Sequence, residues 1–420
     1  MDDNQIIILV DAIAYLITFV YWLIKLKKLN VGLIILGIMT FSHVGSFFYY
    51  SVLSELGLLE DDIQILPFVY LYLMIMFCLL PFLRYEGCLK IDDKGCEKLI
   101  LFFTIFLILI NLEPLYENLN LFMHSKSDYS EVYDDMRDEN LKLYSGLGYT
   151  LMGWTNHFRI LIPILFFYYF TKSPINWYKI FGLGLCMINL VLFWVNLGTR
   201  GGIVSQFLMY LIVFVLIMPA IPHVMVSKLK RYFLLASIPA VLIFGAITLS
   251  RFESKSSSDR SLVTWLLLYT SEGPIKFNTE MWDGPHNTNG DVNANFVKGL
   301  LGMKTYKTYK ERDDYYLAKN GRRVEVFYTY IGDFISDFSY FYVGAICLVL
   351  FSIEKMFLKK KKEIPFHYFI FLVFICHLYS IGFASNIYRD YTMQKGVFYM
   401  FIVFCLFAVS RNSLKSKKRN

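Results

Sequence analysis

The chain has 420 residues, of which 56% are hydrophobic and only 18% are charged. A soluble domain carries about 25% charged residues, so this composition and a mean hydropathy of +0.47 exclude an ordinary water-soluble fold. The net charge of +7 lies in short segments between apolar runs, where it sets membrane orientation. It therefore gives no reason to expect nucleic acid as a partner.

Eleven apolar segments approach the length of about 20 residues that crosses a bilayer as a helix. They cover residues 5–24, 31–53, 63–83, 99–116, 149–171, 177–197, 203–222, 232–250, 329–353, 365–386 and 393–410. This pattern predicts an all-α fold, a polytopic membrane helix bundle of about eleven transmembrane helices. The acidic start, Met1-Asp2-Asp3, does not fit a cleavable signal peptide, so we expect the first segment to remain as a span.

Lysine and arginine are concentrated in every second loop, beginning with 25–30 and 84–98. By the positive-inside rule, this alternation predicts an external N-terminus and a cytoplasmic C-terminus. Two long polar segments, 117–148 and 251–328, are then external loops. They divide the chain into helices 1–4 at 1–116, helices 5–8 at 149–250, and helices 9–11 with a basic tail at 329–420.

The seven cysteines show neither a disulfide framework nor zinc-ligand spacing. Five of them lie inside the apolar segments, and Cys88 and Cys96 lie in a short charged loop. Nucleotide-binding, zinc-protease and serine-hydrolase motifs are also absent from the sequence. We therefore expect no metal and no cofactor.

Three arginines near the predicted outer boundary are candidate anion ligands. Arg200 lies in a short polar turn between two apolar runs, and Arg159 lies about ten residues into the fifth span, where an arginine costs at least ~2.5 kcal/mol without a partner or water. Arg251 ends the eighth span. Arginine matches phosphate oxygens with two parallel hydrogen bonds. The alternatives are interfacial anchoring for each and, for Arg159, snorkelling or a salt bridge to Asp11 or Glu113.

Candidate acids and bases lie on the same predicted side. Asp333 and Asp337 begin the ninth span and share one helix face, because they are four residues apart; Tyr330 lies on that face too. They are candidates for a base or for groups that orient sugar hydroxyls. Stabilisation of the helix dipole is the alternative. His157 and His286 are further candidate bases.

Three short motifs resemble the bacterial oligosaccharide repeat-unit polymerases, the O-antigen and capsule polymerases called Wzy. The family's small-polar-Arg-Gly turn is similar to NLGTRGG at 196–202, and its arginine ahead of a proline is similar to HFRILIP at 157–163. Its aromatic-Thr-aromatic and Asp-Phe-Gly region is similar to FYTY at 327–330 followed by DFISDF at 333–338. Ser339 stands where that glycine is usual.

The resemblance implies a GT-C-like membrane glycosyltransferase, metal-independent, at the outer face of the bacterial plasma membrane. Such enzymes polymerise undecaprenyl-diphosphate-linked oligosaccharide repeat units into a surface polysaccharide, in some cases with a chain-length regulator protein.

The resemblance implies that the diphosphate is bound by three arginines, Arg159, Arg200 and Arg251. It implies that the group acting on the acceptor hydroxyl is one of Asp337, Asp333, His157 and His286. Tyr330 and Arg389 become candidate sugar contacts. Two alternatives remain open: an O-antigen ligase-like transferase, and a flippase or exporter of lipid-linked oligosaccharides.

Overall fold

The computed structural model describes residues 2–55, 62–85, 90–124, 132, 144, 146–254, 262–284, 288–323, 326–358 and 363–417. Fifteen helices make up most of these ranges. They are α1 Asp3–Leu26, α2 Val31–Glu55, α3 Ile65–Leu83, α4 Glu97–His124, α5 Gly146–His157, α6 Leu161–Tyr169, α7 Trp177–Asn196, α8 Arg200–Ile217, α9 His223–Ser254, α10 Leu262–Lys276, α11 Asn295–Leu300, α12 Tyr309–Asn320, α13 Thr329–Leu358, α14 Phe366–Ile381 and α15 Tyr391–Lys417. A π-helical turn, Phe277–Met281, follows α10, and a 3₁₀ turn, Met218–Ala220, follows α8.

Nine helices in the described residues are long and apolar enough to cross a membrane: α1 to α4, α7 to α9, α13 and α15. They coincide with nine of the eleven predicted segments. The prediction of an all-α polytopic membrane helix bundle is confirmed. The tenth segment forms α14, which has only 16 residues.

The fifth predicted segment is interrupted. Helix α5 ends at His157 and α6 begins at Leu161, so a turn at 158–160 divides the apolar run. A hydrogen bond between residues three apart, as in a 3₁₀ turn, spans the break: the Leu161 N–H donates to the carbonyl of Phe158 at 2.9 Å. Irregular backbone at membrane depth occurs where it is buried in protein or lines a cavity, and Arg159 lies in the middle of this turn.

Both segments predicted as loops are partly helical. Helix α4 continues to His124, beyond the predicted end at residue 116. Helix α9 continues to Ser254, and helices α10 to α12 occupy much of 262–320. The apolar α10 packs along α2, where the Ser46 hydroxyl donates to the carbonyl of Ser271 at 2.6 Å. The apolar part of this segment thus lies against a helix of the bundle.

The chain divides into two compact units. Unit 1 comprises Met1–Glu86, Asp259–Lys360 and Leu378–Gln394. Its apolar core includes a cluster around Ile8, Tyr49 and Phe68. Within the same unit, the buried His43 ring and the Asp11 carboxylate are hydrogen-bonded at 2.6 Å, so two polar side chains of α1 and α2 satisfy one another inside apolar helices.

Unit 2 comprises Gly87–Ser258, Lys361–His377 and Lys395–Asn420. Buried asparagines join α4 and α7: Asn118 donates to Asn189, and Asn189 donates to Asn111, each at 2.7 Å. Such amides connect helices where lipid supplies no hydrophobic force between them. Two three-residue strands, β1 Lys90–Asp92 and β2 Glu363–Pro365, pair in parallel.

Helix α13 is bent at Ser339, which has φ 57° and ψ 170°. Thr329, its first residue, also has a positive φ of 67°. Non-glycine residues rarely adopt such angles, which cost about 1–3 kcal/mol each. Ser339 is the position where the resembled family carries glycine, so the motif's glycine corresponds to a backbone conformation that only glycine adopts without strain.

We expect Ser339→Gly to stabilise the protein by about 1 kcal/mol, because relief of the strain exceeds the extra chain entropy that glycine loses on folding. Thermal unfolding in detergent measures this change. The matched control is Ser352→Gly in the regular part of α13, which should destabilise by about 0.5–1 kcal/mol. A lower unfolding temperature for Ser339→Gly would contradict the strain assigned to this position.

Candidate functional site

The carboxylate of Asp337 is buried in unit 1 and is surrounded by hydrogen-bond donors. One oxygen accepts from the Thr288 hydroxyl and from the backbone of Gly290 and Val292, at 3.0 and 3.2 Å for the two amides. The other accepts from the backbone and side-chain nitrogens of Asn293, at 2.7 and 2.8 Å. Gly290 has φ +86°, which turns consecutive backbone N–H groups toward one anion.

This arrangement bears on the predicted role of Asp337. An ionised carboxylate offers about four lone-pair sites, and five donors already approach these two oxygens. A general base needs a free lone pair within reach of the proton it accepts. The contacts therefore favour Asp337 as the group that folds the segment 288–293 onto the start of α13, and its action on an acceptor hydroxyl stays a prediction.

Asp333 is equally well partnered, one helical turn earlier. It accepts from the backbone nitrogen of Asn386 at 2.6 Å and pairs with Arg389 at 3.1 Å. Burial alone lowers the pKa of Arg389, but the adjacent Asp333 more than offsets this, so the pKa is raised. Asn293 links both acids, because its side chain also donates to the Asp333 carbonyl at 2.7 Å.

Ion pairs tie the rest of the segment 288–316 to the same network. Lys298 pairs with Asp291, and Arg312 pairs with Asp390. The Tyr315 hydroxyl donates to Asp291 at 2.6 Å. With Arg389 on Asp333, each basic side chain in this network has an acidic partner, so the network serves to hold the segment in place and leaves little excess positive charge for an anion.

We expect Asp337→Asn to destabilise unit 1 by about 3 kcal/mol, because the amide NH₂ would face donors that then lack an acceptor, at about 1–3 kcal/mol for each buried group left unsatisfied. Thermal unfolding and limited proteolysis within 288–316 measure the effect. Asp314→Asn, an exposed acid in α12, is the matched control. A wild-type unfolding temperature with a large loss of activity would instead identify Asp337 as a base.

Tyr330 lies in the core of unit 1. Its side chain is fully buried, and its ring packs beside Phe334 and Tyr379, with ring centroids 6.0 and 5.5 Å away. A side chain at Gly382 would collide with this ring, since an added Cβ would lie 2.4 Å from it. These contacts favour a packing role for the tyrosine, and its contact with a sugar stays a prediction.

In unit 2, Arg159 is buried at the turn between α5 and α6. Its guanidinium interacts electrostatically with the imidazole of His377 on α14. The His377 ring is itself fully buried and lies 3.0 Å from the Ser205 hydroxyl on α8. Polar side chains from this turn, α8 and α14 thus lie at or near the break in the predicted fifth span.

Arg200 is the first residue of α8, and its side chain is buried. The preceding Gly198 has φ +61°, which lets the chain reverse direction just before the helix. Ser205 lies five residues further along α8, about 7.5 Å along the helix axis at 1.5 Å per residue. Arg200 is therefore connected to the Ser205 and His377 pair through a single rigid helix.

His157 ends α5, next to the same turn. Its ring lies 5.2 Å from that of Tyr399 and 6.3 Å from that of Trp154, centroid to centroid. Within the part of the chain that the structure describes, neither ring nitrogen makes a hydrogen bond. A ring nitrogen of the imidazole is therefore available to accept a hydrogen bond from a ligand.

Two predicted site residues yield no contacts. His286 lies outside the described residues, and for Arg251 only the helical backbone of α9 is described. Three residues of these networks were not predicted from the sequence: Asn293, Ser205 and His377. No local pattern marks Asn293, and the contact between Ser205 and His377 joins positions 172 residues apart.

Among the described residues, no group of three or more His, Cys, Asp or Glu side chains is placed to hold a metal ion. Comparisons with models of protein families, with curated proteins and with solved structures found no match. The geometry described above therefore provides the basis for assigning a function.

Proposed function

We propose that the chain is a membrane glycosyltransferase that polymerises undecaprenyl-diphosphate-linked oligosaccharide repeat units into an O-antigen or capsular polysaccharide. The reaction takes place at the outer face of the bacterial plasma membrane. The observation that supports it most directly is the arginine at a break in an apolar helix, next to an imidazole whose ring nitrogens accept no hydrogen bond.

Unit 2 supplies the groups that the donor requires. The diphosphate of a lipid carrier enters from the membrane, so its ligands belong at membrane depth, where Arg159 lies in a turn that interrupts an apolar run. An intramembrane ionisable residue is by default a functional site. Arg200, at the start of α8, adds a second guanidinium whose planar donors match phosphate oxygens.

The proposed chemistry is one displacement. The acceptor hydroxyl oxygen bonds to the anomeric carbon of the donor glycan while the bond from that carbon to the diphosphate oxygen breaks. His157 takes the hydroxyl proton, and undecaprenyl diphosphate leaves with the electron pair. Arg159 and Arg200 stabilise the negative charge that develops on the leaving group, a task that fixed positive groups perform in a site of low dielectric constant.

Unit 1 has a supporting role in this proposal. Asp333, Asp337 and Arg389 hold the segment 288–316 in one conformation through the contacts described above. A rigid polar surface of this kind suits the recognition of a glycan, and a chain-length regulator protein is the proposed protein partner.

We expect Arg159→Lys and Arg200→Lys each to lower the polymerisation rate by about 10²–10³-fold, the loss typical when one preorganised donor to a developing anion is removed. Lysine keeps the charge but cannot form two parallel hydrogen bonds with phosphate. Purified protein and lipid-linked repeat units provide the assay. Arg231→Lys, at an exposed position of α9, is the control. Wild-type rates for both variants would remove the arginines from the site.

His157→Gln should lower the rate by about 10²–10⁴-fold, the usual contribution of a general base, while the protein still inserts and keeps its unfolding temperature. Glutamine preserves hydrogen-bonding capacity but cannot accept the proton. The single-turnover rate with a bound donor measures the chemical step directly. His124→Gln, an exposed histidine at the end of α4, serves as the matched control. A rate within threefold of wild type, set against the same range, would exclude His157 as the base.

The cellular experiment separates this function from the alternatives. Deletion of the gene should leave surface glycan of a single repeat unit, seen as one band on a gel, because transfer to the final acceptor would continue. Complete loss of surface glycan with retention of the lipid-linked precursor would instead indicate an O-antigen ligase or an exporter. Restoration of long chains by the wild-type gene, and not by the Arg200→Lys variant, completes the test.

A further inference from the structure

We propose that Lys395 is a third cationic ligand of the donor diphosphate in unit 2, next to His157 and Arg159. This inference rests on the proposed function and assigns it a residue on a different helix. Lys395 belongs to α15, and its ammonium lies 6.0 Å from the ring centroid of Tyr399, whose ring in turn lies 5.2 Å from that of His157. It therefore faces the same break between α5 and α6 that presents Arg159.

The residue after Lys395 explains how α15 approaches this turn so closely. An added Cβ at Gly396 would lie 3.4 Å from the Cα of His157 and 3.5 Å from its carbonyl oxygen. A larger side chain would separate the two helices. The glycine thus permits backbone contact between α15 and the end of α5, and Lys395 lies beside that contact.

Among the described residues, Lys395 has no acidic partner. The side chain is half-buried, and within the described ranges it forms no ion pair. Its one described neighbour besides His157 is the ring of Tyr399, with the ammonium 6.0 Å from the ring centroid. A cation at the membrane pairs with another group unless it marks a binding site or an ion path.

Two features favour a diphosphate over a single negative charge. Lys395 lies on α15 and Arg159 lies in the turn between α5 and α6. A ligand that neutralises both needs at least two anionic oxygens, which a diphosphate provides. Lysine acts as a compact point charge with three donors, and the arginine supplies the planar fork, so the two residues are complementary.

The test measures binding apart from catalysis. Wild type and variants are placed in nanodiscs, and undecaprenyl diphosphate without sugars is titrated, with undecaprenol as the lipid that lacks the diphosphate. We expect Lys395→Gln to weaken binding of the diphosphate lipid by about tenfold or more, the loss expected for a hydrogen bond to a charged group, and Lys395→Arg to keep it within about threefold. Lys98→Gln, which removes a charge from an exposed position of α4, should bind like wild type.

Salt and competition provide independent readouts. The affinity of the wild-type protein for the diphosphate lipid should fall more steeply with NaCl than that of Lys395→Gln. The variant has one fewer charge in the site, so salt screens one fewer interaction with the diphosphate. Inorganic pyrophosphate should compete with the lipid in wild type and less well in Lys395→Gln. This comparison still applies if the glutamine variant is less stable, since it is made within each protein and can be repeated with Lys395→Arg.

The outcomes separate the two proposals. Equal affinity, salt dependence and competition in wild type and Lys395→Gln would overturn the role of Lys395 while the proposed function stands on Arg159 and Arg200. A wild-type protein that binds undecaprenol and undecaprenyl diphosphate equally would overturn the proposed function, and the role of Lys395 with it.

Discussion

Burial of the Asp337 carboxylate is the constraint on which unit 1 depends. A carboxylate without partners in an apolar interior is strongly unfavourable, and in this structure the donors come from a segment that begins 49 residues earlier in the chain. The hydroxyl of Thr288, three backbone amides and the Asn293 side chain converge on it. The region between α10 and α13 must therefore fold back over the first turns of α13, and the ion pairs around Asp291 and Arg312 extend that contact.

The fold was predictable in outline because membrane helices follow from composition and length alone. Nine of the predicted apolar segments coincide with the helices that, in the described part of the chain, are long and apolar enough to span a membrane. The interruption at Arg159 was not predictable from hydropathy, since the residues on both sides are as apolar as an unbroken span. Helix α12 was also missed, because a polar helix that depends on long-range ion pairs has the composition of a loop.

The candidate site was predictable in its residue types and much less in its partnerships. The cost of a buried arginine pointed to Arg159 from sequence alone, whereas its neighbour His377 lies more than 200 positions further along the chain. Asp337 and Asp333 were found because they share a helix face, but their roles depend on donors that no local pattern reveals. Tyr330 shares that helix too, and burial directs it into the core.

The two positive φ angles at Thr329 and Ser339 have a consequence for which changes in length this part of the chain can tolerate. They enclose a helical stretch with Asp333 and Asp337 inside it, and each fixes the chain direction at one end. One residue inserted between them would rotate the second acid by about 100° around the helix axis, given 3.6 residues per turn. Asp337 would then no longer face the donors of the segment 288–293. The backbone at Thr329 and Ser339 could not shift to compensate. Substitutions are tolerated in such a stretch more easily than insertions or deletions, so homologues should keep this spacing even where their side chains differ.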